Sequence, residues 1–64
     1  MDKRALVRQI REEIKILKAK NENLRQKRSQ SNNILDMRKL DEEIEANTRK
    51  IQQLEIKSRQ LSPF

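Results

Sequence analysis

The sequence contains no glycine, cysteine, histidine, tryptophan or tyrosine, and only one proline, Pro63, and one phenylalanine, Phe64. Without cysteine there can be no disulfide staple, thiolate metal site or cysteine nucleophile. Without histidine the usual general base and zinc ligand are missing as well. No apolar run approaches the length of a membrane span, and no signal-peptide pattern opens the chain, so a soluble, cytosolic protein is expected. At 64 residues there is room for one domain at most and none for the enclosed core that a catalytic pocket needs, which points away from an enzyme. The short length and the end at Ser62, Pro63 and Phe64 fit a module excised from a larger protein.

What is abundant is charge, at 41% of residues, and that composition belongs to long helices and coiled coils. In the first half Val7, Ile10, Ile14, Leu17, Asn21 and Leu24 recur at alternating steps of three and four. Met37, Leu40, Ile44, Asn47, Ile51 and Leu54 do the same in the second. The two stripes complement each other only when one is read backwards, so the expected fold is all-α, a two-helix antiparallel coiled-coil hairpin. Folding at the Ser/Asn-rich centre pairs Val7 with Leu54, Ile10 with Ile51, Ile14 with Asn47, Leu17 with Ile44, Asn21 with Leu40, and Leu24 with Met37. In that register Lys27 faces Asp36, Lys20 faces Glu43, Glu13 faces Lys50, Lys18 faces Asp41 and Arg4 faces Glu55, and none of the five pairs repels. Each asparagine then faces an aliphatic residue, a cost in stability that excludes slipped registers and wrong oligomers.

The expected boundaries are a helix over 3–28, a turn over 29–34 and a helix over 35–61. Asp2 is a ready N-cap, Arg25, Lys27 and Arg28 suit the negative end of the helix dipole, and the Ser29–Asn33 stretch favours turns. Asn33 and Asp36 resemble a capping box, Ile34 or Leu35 should fold back over the turn, and the second helix should stop before Pro63. A two-helix seam is half open, so its stability should be marginal. A partner surface, or a second copy forming a four-helix bundle, would add to it.

The net charge of +6 is uneven: residues 1–30 hold ten Lys/Arg against four Asp/Glu, whereas residues 31–64 hold six of each. A basic first helix implies an acidic protein, an anionic membrane surface or nucleic acid as partner, although part of the excess complements the second helix and the helix dipole. The absence of base-stacking aromatics argues against nucleic acid. Asp41 and Glu45, one turn apart, read as a solvated acidic face, and no metal or cofactor is expected. Two apolar residues lie off the seam: Ile16, beside Ala46 in the expected register, and Ile56 on the outer face of the second helix. A small apolar spot ringed by charge is how many interfaces begin.

From Gln9 to Leu61 the chain resembles a homology-region-one domain, also called a Rho effector motif (REM) domain, and is most similar to the first such repeat of fungal protein kinase C. The resemblance rests on Ile10, Ile14 and Ile16, the stretch Arg25-Gln-Lys-Arg-Ser-Gln-Ser-Asn-Asn33, and Ile34, Met37, Ile44, Ile51, Leu54 and Leu61. It implies a non-catalytic signalling module that binds a Rho-family small GTPase in its GTP-bound state, and the basic face is compatible with recruitment to a membrane surface. The candidate contacts are Ile16, Lys20, Asn23, Lys27 and Ala46. The alternatives are an oligomerisation or tethering coiled coil without a switch partner, homodimeric or otherwise, and an RNA-gripping helical arm.

Overall fold

The computed structural model describes residues 2–61. It contains two α-helices, α1 (Lys3–Gln30) and α2 (Ile34–Leu61), packed antiparallel as a rod of 47 × 16 × 14 Å. Asp2 caps α1, its carboxylate accepting from the Arg4 backbone N–H at 3.1 Å. The helix runs past its expected end at Arg28, through Ser29 and Gln30, and Ser31 closes it by donating its N–H to the Arg28 carbonyl at 3.2 Å. With no glycine to supply a left-handed C-cap, Ser31 leaves the helix in an extended conformation, and no described residue has positive φ. The turn therefore shrinks to residues 31–33.

Asn33 caps α2, its side-chain oxygen accepting from Leu35 N–H at 2.9 Å while its carbonyl takes the first helical bond from Met37 at 3.0 Å. The reciprocal half of the expected capping box is made differently: the Asn33 N–H donates to the Ser31 hydroxyl at 3.3 Å, not to Asp36. Ile34 and Leu35 do not fold back over the turn but stand 74% and 66% exposed. Pro63, expected to stop the second helix, lies outside the described residues.

The seam is offset by one heptad from the register expected above. Asn47 donates its side-chain N–H to Asn21 Oδ1 at 3.0 Å, so the two asparagines share a layer and do not face Leu40 and Ile14. Asn21 in turn donates to the Ile44 carbonyl at 3.4 Å and to the Thr48 hydroxyl at 3.3 Å, and Thr48 donates to the Ile44 carbonyl at 2.7 Å. Asn21 is thus a knob in the hole formed by Ile44, Asn47 and Thr48, and it is only 3% exposed. Farther down the rod Ile14 lines a hollow with Glu55 and Ser58, in agreement with the same offset. Carried along the heptads, the register sets Leu17 against Ile51, Ile14 against Leu54, Leu24 against Ile44, and Val7 against Leu61.

The hydrophobic effect does not choose between the two registers, because each stacks four all-aliphatic layers. The choice falls to polar groups. Facing aliphatic residues, the buried Asn21 amide would lose its hydrogen bonds at a cost of about 1–3 kcal/mol, and the half-buried Asn47 amide would lose its bond at a smaller one. The flanking charge pairs that favour the other register contribute only about 0–1 kcal/mol each. In the observed layer the amides satisfy each other, and among the described residues no buried side-chain nitrogen or oxygen lacks a partner.

The cross-helix charges follow the seam only in part, because long side chains span the offset. Glu13 and Lys50 pair at 3.5 Å as expected, but Asp41 meets Arg28 Nε at 2.6 Å instead of Lys18. Arg28 continues the α1 stripe beyond Leu24, so this pair closes the turn end of the seam with a charged contact in partial solvent.

Because the chain has no native cysteine, an introduced pair reports register without ambiguity. Leu17→Cys with Ile51→Cys is expected to form an intramolecular disulfide, and Leu17→Cys with Ile44→Cys is not. Asn21→Leu alone is expected to lower stability in thermal unfolding by about 1–3 kcal/mol through the stranded Asn47 amide. Asn21→Leu combined with Asn47→Leu should raise the melting temperature and allow the disulfide between Leu17→Cys and Ile44→Cys to form.

Candidate functional site

Helix geometry puts Ile16, Lys20, Asn23 and Lys27 on one line along α1, three and four residues apart, beside the seam rather than in it. All four are exposed, Ile16 at 51%. Lys20, Asn23 and Lys27 come together around an open groove whose other walls are Leu24, Glu43 and Asn47. Ile16 lies one turn below Lys20, at the foot of that groove. Ala46 is exposed on α2 between Glu43 and Asn47.

The heptad offset corrects one juxtaposition. Ala46 is not beside Ile16; it is displaced along the rod by about 10 Å, seven residues at 1.5 Å each, and lies near the level of Asn23. The expected apolar spot of Ile16 with Ala46 is therefore two separate features of one flank. Ile56 stands alone on the outer face of α2, 49% exposed.

The electrostatics of the flank are those of open water. Every ionisable side chain among the described residues is exposed, and the ion pairs Arg25–Glu22 at 3.9 Å and Arg49–Glu45 at 2.8 Å lie within single helices. Lys20 and Glu43 line the same groove without pairing, and Lys27 and Asp36 share a second hollow near the turn, also unpaired. The lysines of the groove are therefore available to a partner's carboxylates or phosphates. Among the described residues no group of three His, Cys, Asp or Glu could hold a metal ion, and no helix is long and apolar enough to cross a membrane. What the flank offers chemically is recognition: one aliphatic side chain, two ammonium groups and one amide on a rigid helical line.

Periodicity and charge pairing overlook the side chains that set this geometry. They do not single out Thr48, although a hydroxyl four residues after Ile44 and next to Asn47 can reach both the Ile44 carbonyl and an asparagine on the opposite helix. The signal is present in the stripe, where each helix carries a single asparagine and one register lets the two meet.

No family model, curated protein or solved structure matches the chain.

Substitutions on this flank should leave the fold intact. Ile16→Asp with Lys20→Glu is expected to change unfolding free energy by less than about 1 kcal/mol, as for other exposed sites. Leu17→Ala, one residue away but 7% exposed, should cost about 2–4 kcal/mol. Denaturant titrations followed by circular dichroism compare the two.

Proposed function

We propose that the hairpin is a non-catalytic docking module and that its partner is a Rho-family small GTPase in the GTP-bound state. The observation that supports this most is the groove flank of α1, where Ile16, Lys20, Asn23 and Lys27 are exposed on a rigid line while the neighbouring seam residues Leu17 and Asn21 are consumed by the fold. An aliphatic anchor beside unpaired lysines suits a protein surface that is partly apolar and partly acidic. The resemblance at Ile10, Ile14 and Ile16 and at the Arg25–Asn33 stretch supports the GTPase class. Nucleotide state would be read because GTP orders the switch segments of such a partner, and the hairpin's response equals its difference in affinity for the two states. In this reading the module works in the cytosol and follows its partner to the membrane surface.

A second reading, a tethering coiled coil, is favoured by one feature. On α2 only Ile51 among the described residues is buried, while Met37, Leu40, Ile44, Leu54 and Leu61 are half-buried. A second hairpin laid against that side would cover them as a four-helix bundle.

Titration against a panel of Rho-type GTPases, each loaded with a GTP analogue or with GDP, separates the readings. Tighter binding of the GTP form is expected, with at least about a tenfold loss in Ile16→Asp combined with Lys20→Glu, equivalent to about 1.4 kcal/mol. Equal affinity for the two states, or strong self-association in sedimentation without GTPase binding, would assign the tethering role.

A further inference from the structure

The turn end of the rod carries an apolar pair that the fold leaves uncovered. Asn33 caps α2, so Ile34 and Leu35 are its first two residues, while α1 has already ended at Gln30. In the observed register no α1 residue lies level with them. Two adjacent large aliphatic side chains thus stand 74% and 66% exposed at the tip, and the other large apolar residues exposed among those described, Ile16 and Ile56, are isolated.

The charges around the pair are mostly positive. Arg38 follows Ile34 by four residues and Leu35 by three, and Lys39 follows Leu35 by four, so both lie one helical turn behind the apolar pair. Lys27, from the end of α1, shares a hollow with Lys39, Ser31, Leu40 and Asp36. Asp41 is engaged by Arg28, which leaves Asp36 as the unpaired carboxylate against Lys27, Arg38 and Lys39.

We propose that this end is a membrane-docking tip, in which Ile34 and Leu35 enter the headgroup–acyl boundary of an anionic bilayer while Lys27, Arg38 and Lys39 meet its phosphates. The shape supports a surface over a pocketed partner: the apolar pair stands at the narrow end of a 47 Å rod with most of each side chain open to solvent. A fluid interface can yield around such an apex. Charge complementarity selects an anionic one, and an aliphatic apex with a basic collar combines the two signals that a peripheral anchor requires. The proposal does not depend on the groove flank, although Lys27 borders both regions.

The test uses the 64-residue chain with phosphatidylcholine vesicles, pure or containing roughly a third phosphatidylserine. Co-sedimentation with the anionic vesicles and not with the neutral ones is expected. Ile34→Ser with Leu35→Ser, conservative for a helix start and outside the seam, should lower partitioning at least about tenfold with helicity unchanged. Arg38→Gln with Lys39→Gln should lower it several-fold and flatten its salt dependence. Since the chain contains no tryptophan, Leu35→Trp provides a unique fluorophore, whose emission should shift to the blue when anionic vesicles are added. Failure to bind these vesicles overturns the proposal. So does undiminished binding by the serine variant, or sedimentation without a tryptophan shift, either of which would mean adsorption through the basic face of α1. Self-association that the serine variant abolishes, without vesicle binding, would show a second copy as the occupant. Loss of GTPase binding in Ile16→Asp with Lys20→Glu, a pair remote from the apex, leaves vesicle binding unchanged if the two surfaces are distinct.

Discussion

One polar layer determines how this hairpin is assembled. Asn21 and Asn47 meet across the seam, and Thr48 and the Ile44 carbonyl complete a network in which the buried Asn21 amide and the half-buried Asn47 amide keep their hydrogen bonds. The aliphatic residues around that layer would stack equally often one heptad away, so the apolar stripe supplies cohesion without choosing a register. The asparagines supply the choice, because a stranded buried amide costs more than the loss of a few solvent-screened ion pairs.

From that register the ends of the rod follow. The offset lets α1 extend to Gln30 and α2 begin at Ile34, so a three-residue turn suffices and two extra residues join the first helix. It also draws Arg28 onto the seam line against Asp41 and leaves Ile34 and Leu35 above the last turn of α1, where nothing on the opposite helix can cover them. A tightly capped turn and an apolar tip thus have one origin.

The same offset shapes the flank on which recognition is proposed. Sliding α2 by a heptad separates Ala46 from Ile16 and brings Asn47 to the groove of Lys20, Asn23 and Lys27, where Glu43 still stands but does not pair with Lys20. The resulting surface is an open groove with an aliphatic foot, not a compact apolar spot. The half-exposed side of α2 adds a face that a second chain could cover, so the proposed roles differ in which surface of the rod is occupied. The scaffold is common to all of them.

Much of the fold was legible in the sequence. Steps of three and four define two amphipathic helices, opposite polarity makes them complementary, and Asp2 and Asn33 cap them where short oxygen-bearing side chains precede apolar periodicity. The candidate side chains Ile16, Lys20, Asn23 and Lys27 could be placed on one face of α1 because helical spacing is local. Register could not be obtained by the same means. A heptad repeat maps onto itself after seven residues, so periodicity leaves the offset degenerate, and the charge pattern favours the wrong solution through many weak contributions. The single asparagine in each stripe marks where the degeneracy could break, but only the packed structure, by bringing the two amides to 3.0 Å, shows that it does and decides which residues are level, which are covered and which stand free at the tip.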